Sequence, residues 1–145
     1  MLNFIDTVGE AVAGIQDGST VMIGGFGNAG QPFELIDALL DGGATDLTVV
    51  NNNAGQGDQG LALLIKEGRV KKMICSFPRQ SDSWHFDAKF RAGEIELELV
   101  PQGNLAERIR AAGAGIGGFF TPTGYGTMLA EGKETRVLRG REYVL

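Results

Sequence analysis

Four short apolar runs, each separated from the next by a stretch of helical periodicity, constrain this chain more than any other feature. Thr20-Val21-Met22-Ile23 and Leu47-Thr48-Val49-Val50 are short and rich in β-branched residues, so they read as buried strands. Val70 to Ser76 is a third. Glu94 to Val100 alternates strictly, with Ile95, Leu97 and Leu99 on one side and glutamates on the other, so the fourth strand has one wet face. Strands that alternate with helices predict an α/β fold: an open, mainly parallel sheet with helices on both faces.

The helices carry their own signals. Thr7 and Glu10 have capping-box spacing, and Ile5, Val8, Val12 and Ile15 follow at helical intervals before Asp17-Gly18. Pro32 stands where a helix takes its first residue, Phe33, Ile36, Leu39 and Leu40 form a buried stripe, and Gly42-Gly43 closes it. Leu61 to Glu67 is a short helix stopped by Gly68. Ser81 or Asp82 caps a helix that buries Phe86 and Phe90. Asn104 to Ala112 is a further helix, and Val137 to Leu145 is a hairpin turning at Arg139-Gly140. Tyr143-Val144-Leu145 ends the chain on an apolar strand with no evident partner. The expectation is a single domain, 1–145, whose C-terminal part is absent or supplied elsewhere.

Composition excludes several function classes. The net charge is -5 and no basic stripe is visible, which argues against a nucleic-acid surface. Arg69, Lys71 and Lys72 read as a solvated strand end. One cysteine, Cys75, and one histidine, His85, cannot close a zinc site from this chain, and no internal disulfide is possible. Cys75 lies in the apolar run Met73-Ile74-Cys75 and reads as a buried thiol. His85 reads as a surface or core residue. No signal-peptide pattern or membrane-spanning run is visible, so a reducing, cytoplasmic setting is expected.

The 23 glycines are the unusual part, and they cluster at turns. Gly24, Gly25, Phe26, Gly27, Asn28, Ala29 and Gly30 join a strand to a helix start. There, backbone N–H groups and a helix N-terminus can meet an anion. Gly25 to Gly30 also fits G-x-G-x-x-G by letter. Pro32 delays the helix beyond the third glycine, and the next strand ends in Asn51-Asn52-Asn53 in place of an acidic residue, so NAD binding is disfavoured. Asn52 and Asn53 are either neutral donors to an oxyanion or parts of an Asx turn to which Asn51 contributes. Gln102-Gly103 follows the fourth strand, where a helix-entry turn is the plain alternative. Thr121 to Gly126 either lines a cleft or is a loop packed by Tyr125. Arg79, just beyond the third strand, is a candidate fork for a substrate carboxylate, with Ser81 and Ser83 as further donors. A solvated loop residue or a partner contact is the equal alternative.

Asp17 to Pro32 resembles the first signature of the small (A) subunits of class I coenzyme A transferases. Asn52-Asn53-Ala54-Gly55, Pro101 to Ile109, Gly113-Ala114-Gly115 and Thr121 to Gly126 resemble the same family in the same order, from about residue 4 to the end. Cys75 to Ser83 resembles the 3-oxoadipate branch more than the acetoacetate branch. Family A subunits continue well past Leu145. The resemblance implies an enzyme that takes CoA as a substrate, holds no permanent cofactor, and moves CoA from succinyl-CoA to a 3-oxo acid through a glutamyl-CoA thioester. It places that glutamate on a B subunit, making the enzyme a hetero-oligomer, and no glutamate here follows a strand into a glycine turn. By the same resemblance Asn52 is the oxyanion donor, Gln102 touches substrate nearby, Asn53 contacts substrate, and residues 24–30 meet CoA. A rival is a non-catalytic ligand-sensing domain of the same fold. It would carry a DNA-binding helix pair, and none is read ahead of Leu2.

Overall fold

The computed structural model describes residues 4–145, so the reading that concerns Leu2 lies outside the described residues. The chain forms two compact units that divide after Leu99. The first contains α1 (Val8–Val12), β1 (Thr20–Met22), α2 (Phe33–Gly42), β2 (Leu47–Val50), α3 (Leu61–Lys66), β3 (Val70–Cys75), α4 (Trp84–Arg91) and β4 (Glu96–Leu99). Its strands are all parallel and lie in the order β1-β2-β3-β4.

Register explains where the core sits. Val21, Val49, Met73 and Leu97 form one row across the sheet, and Thr20, Thr48, Lys72 and Glu96 form the next, pointing the other way. The first row faces Ile36 and Leu39 of α2, Leu61, Leu64 and Ile65 of α3, and Phe86 of α4 in one apolar cluster. Each such large side chain contributes about 1.5–3 kcal/mol on burial. Right-handed crossovers between sequential neighbours put their helices on the same side. Accordingly α1 touches α2, α2 touches α3 and α3 touches α4. Within the first unit the helices therefore cover one face of the sheet, where the sequence pattern implies both, because every crossover there joins neighbouring strands in the same direction.

Local chemistry sets most boundaries as the sequence implies. Thr7 Oγ1 accepts from the Glu10 N–H at 3.2 Å, and Gly43 closes α2 in the left-handed conformation. Two expectations are corrected. α4 starts after Ser83, not after Ser81 or Asp82, because the Ser83 hydroxyl accepts from the Gln80 N–H and donates to the Gly55 carbonyl. Phe90 is exposed and stacks on buried Phe86 with centroids 5.6 Å apart, since only Phe86 points at the sheet. In the stretch that includes α1, Ile5 and Val8 are also exposed, and Ile15 alone packs against the core.

The second unit contains α5 (Gln102–Gly113), a single 3₁₀ turn at Met128–Ala130, and the antiparallel pair β5 (Thr135–Leu138) and β6 (Arg141–Val144). Arg139 and Gly140 both take positive φ, the signature of a two-residue I′ hairpin turn. The terminal strand does have partners. Val144 pairs with Thr135 on one side and exchanges two backbone hydrogen bonds of 2.8 and 2.9 Å with Thr121 on the other. No helix among the described residues is long and apolar enough to cross a membrane.

Candidate active site

Strands β1, β2 and β3 run into loops 23–32, 51–60 and 76–83 at the carboxyl edge of the sheet, where open parallel sheets bind ligands. None of these loops contains a glutamate, and their polar residues are mostly neutral amides.

The glycine loop is a miniature hairpin. Phe26 and Ala29 exchange backbone hydrogen bonds of 2.9 and 3.2 Å across Gly27-Asn28, and Gly27 takes φ +60. Gly25 takes φ +124, and a Cβ there would lie 2.7 Å from Gln31 Cγ. Gln31 is buried. Its Nε2 donates to the Gly27 carbonyl at 2.7 Å, and its Oε1 accepts from the Leu61 N–H at 3.1 Å. The loop is thus pinned to the first turn of α3. Gly30 lies outside α2, which begins at Phe33, so a dinucleotide site using that glycine inside its helix does not form.

The loop after β2 is built by asparagines. Asn51 Nδ2 donates to the Ile23 carbonyl at 2.6 Å, tying the ends of β1 and β2 together, and its Oδ1 accepts from the Asn53 N–H at 2.9 Å. Asn53 Oδ1 accepts in turn from the Gly55 N–H at 2.9 Å, giving two successive Asx turns. Asn53 is fully buried. Its side chain shapes the loop, and its buried Nδ2 has no hydrogen-bond partner among the described residues. Asn52 stands differently. It is only half-buried, its Oδ1 accepts from Ser76 Oγ at 2.8 Å, and its Nδ2 makes no hydrogen bond among the described residues.

Close backbone approach holds these loops together. A Cβ on Gly55 would overlap the Ala62 backbone, one on Gly60 would overlap Gln31 and the Phe33 ring, and one on Gly27 would meet Gln56 Oε1 at 3.2 Å. Asn53 and Phe77 extend the parallel pairing beyond the strand ends. Phe26 and Phe77 are both exposed at this edge.

Arg79 follows β3, with Nε 2.8 Å from Asp87 Oδ1 of α4, and is more than half exposed. The pair is one of distance only, because the N–H is not aligned for a hydrogen bond and Asp87 Oδ1 makes none. The Arg79 guanidinium makes no hydrogen bond among the described residues. His85 belongs to a surface network: its Nε2 lies 2.7 Å from Asp58 Oδ1 and 3.0 Å from Trp84 Nε1. Hydrogen bonds from His85 and then Lys66 hold the Asp58 carboxyl below the usual carboxylate range. Cys75 is fully buried, as read from the sequence, and burial pushes its thiol up to about 12.

In the second unit, Gln102 is the first residue of α5 and is exposed. Gly103, Asn104 and Glu107 face Phe119 to Thr123 across a cleft of about 320 Å³. Asn104 Nδ2 reaches the Thr123 carbonyl at 3.3 Å. Thr121 to Thr123 therefore line a cleft of this unit, while Tyr125 is exposed. Several glutamates are occupied by ion pairs: Glu94 with Lys89, Glu98 with Lys72, Glu107 with Arg110 and Glu134 with Arg136.

Sequence reasoning gives no individual role to Gln31, Ser76, Gly55 and Gly60, although the first three lie in segments it singles out. Their roles depend on partners 24 to 30 residues away or on a helix packed behind them, and local spacing carries no trace of either.

Glycine backbone and neutral amides thus line the carboxyl edge of a parallel α/β sheet, the edge at which open sheets of this class bind ligands. The coenzyme A transferase family matches residues 5–145, and the chain belongs to that family. The chain is 66% identical over 140 residues to the A subunit of 3-oxoadipate CoA-transferase from Pseudomonas putida, covering 97% of this chain and 61% of that one. It is 54% identical over 136 residues to the A subunit of a probable succinyl-CoA:3-ketoacid coenzyme A transferase from Bacillus subtilis, covering 94% of this chain and 56% of the relative. The chain thus spans about three fifths of the length of these relatives. Glutaconate coenzyme A-transferase from Acidaminococcus fermentans has the same fold, with a TM-score of 0.79 at 22% identity over 96% of this chain and 51% of its own.

Proposed function

We propose that this chain supplies the A half of a 3-oxoacid CoA-transferase that moves CoA from succinyl-CoA to a 3-oxo acid, 3-oxoadipate in particular. On this reading residues 1–145, with both compact units, belong to one domain of that enzyme, which works in the cytoplasm with CoA as substrate and no resident cofactor. The observation that carries this reading is the 66% identity to a protein named as the A subunit of 3-oxoadipate CoA-transferase. That identity coincides with an edge that offers donors but no glutamate nucleophile.

The chemistry assigns the halves distinct tasks. A glutamate on the B subunit opens the reaction at the succinyl thioester carbonyl, expelling CoA as thiolate and leaving a mixed anhydride. The thiolate attacks the glutamyl carbonyl of that anhydride, releasing succinate and forming glutamyl-CoA. The carboxylate of the 3-oxo acid then repeats the exchange in reverse. Each step places negative charge on a carbonyl oxygen, and the open Nδ2 of Asn52 is a neutral donor suited to receive it. The glycines of the loop offer backbone to the coenzyme with no side chains of their own, beside the exposed Phe26. The proposed role of Gln102 is substrate contact, and that of Arg79 is the second carboxylate of the acceptor.

This chain, its B partner and a mixture of the two should each be incubated with succinyl-CoA and 3-oxoadipate. The expected result is 3-oxoadipyl-CoA from the mixture and none above blank from this chain alone. Turnover by the isolated chain, or binding without turnover by the mixture, would defeat the reading, and the second result would favour the ligand-sensing alternative.

A further inference from the structure

We infer that Ser76 is a positioning residue that fixes which end of the Asn52 carboxamide faces the ligand, an inference that rests on the reading of Asn52 as oxyanion donor. An asparagine side chain at a strand end can turn either its oxygen or its NH₂ outward, and only the NH₂ stabilises an oxyanion. The hydrogen bonds around residue 52 settle the choice. The Asn52 backbone carbonyl already accepts from the Phe77 N–H at 3.0 Å and the Ser76 N–H at 3.2 Å, which uses both of its lone pairs. Ser76 Oγ lies 3.0 Å from that carbonyl and 2.8 Å from Asn52 Oδ1. The hydroxyl has one proton, and the acceptor with vacant capacity is Oδ1. Donation there turns Oδ1 toward β3 and leaves both Nδ2 protons free of partners among the described residues. Asn51 and Asn53, on either side, have their Oδ1 atoms committed to backbone N–H groups. The three carboxamides are thus each fixed by a different donor, and Asn52 alone is fixed by a side chain that substitution can remove.

The test uses the assembled enzyme and a double-mutant cycle. Ser76→Ala should lower kcat about tenfold with KM little changed, a fraction of the roughly 10²–10³ lost when an oxyanion donor is removed outright. Ser76→Thr, which keeps the hydroxyl, should stay within about threefold of the parent. In an Asn52→Ala background, Ser76→Ala should cost less than about twofold, because the group it positions is gone. Equal losses in both backgrounds, or an unchanged kcat in Ser76→Ala, would overturn the inference. An independent readout needs no activity. In the full chain alone, the heteronuclear NOE of the Asn52 Nδ2 group should report an ordered side chain and should fall in Ser76→Ala, while that of Asn51 holds. An Asn52 side chain equally ordered in both proteins would overturn the positioning role. A parent enzyme without transferase activity would instead remove the proposed function and leave the NOE comparison to decide Ser76.

Discussion

Gln31 and Leu61 are joined by a hydrogen bond of 3.1 Å from the Leu61 N–H to Gln31 Oε1, while the other end of the same amide holds the Gly27 carbonyl at 2.7 Å. One buried side chain therefore ties the glycine loop to the start of α3. Gln31→Leu keeps the volume and removes both bonds, leaving a donor and an acceptor unpaired. It should destabilise the chain by about 2–6 kcal/mol, counting roughly 1–3 for each of the two orphaned groups, and urea unfolding will show it as a lowered midpoint.

The glycines separate into those demanded by the fold and those that leave room. Gly25→Ala places a Cβ against Gln31 at a φ of +124 that L residues rarely adopt. It should cost about 2–3 kcal/mol from backbone strain alone. Gly27→Ala, at φ +60 with only the ends of the flexible Gln56 and Gln80 side chains near, should cost about 1–2 kcal/mol. Circular-dichroism melts of the two variants should rank in that order. If Gly27→Ala nonetheless loses activity in the assembled enzyme, the loss belongs to ligand approach and not to the fold.

Arg79 approaches Asp87 through Nε at 2.8 Å, which leaves its terminal nitrogens to fork onto a ligand carboxylate. Arg79→Met should lower kcat/KM for 3-oxoadipate about ten- to a hundredfold, as expected for loss of a charge-assisted contact. Turnover of acetoacetate, which lacks the second carboxylate, should change far less. Steady-state kinetics on both acids checks this, and equal losses would move specificity elsewhere.

Cys75 links stability to alkaline pH. Its thiol, ordinarily near 9.0, is pushed up to about 12 by burial. Between these values the unfolded chain gives up a proton that the folded chain keeps. Stability is therefore indifferent to this group well below pH 9.0 and falls as pH rises above it, by at most about 1.4 kcal/mol per pH unit. Urea midpoints between about pH 8 and 10.5 should fall more steeply for the parent than for Cys75→Ala.

What the sequence discloses follows from how local each signal is. Leu47 to Val50 was legible as a strand because it is a short run rich in apolar and β-branched residues, and Val70 to Cys75 because Val70, Met73 and Cys75 are buried although Lys71 and Lys72 interrupt the apolar run. Thr7, Gly43 and the Arg139-Gly140 turn were legible because caps and tight turns act within about four residues. The start of α4 is not legible because Ser83, whose side chain makes no cap hydrogen bond, is fixed by the distant Gly55 carbonyl. In the site, the glycine loop and the asparagine cluster stood out by composition. What separates Asn52 from Asn53 is a single contact with Ser76 across 24 residues, and only the folded sheet brings the two together.

If this chain provides donors and backbone, the nucleophile must come from elsewhere. Intact-mass spectrometry of the assembled enzyme, taken after brief incubation with succinyl-CoA and no acceptor acid, decides where it lies. A CoA-sized adduct should appear on the B partner, and the mass of this chain should be unmodified. A CoA adduct on this chain would contradict the division of labour between the two halves.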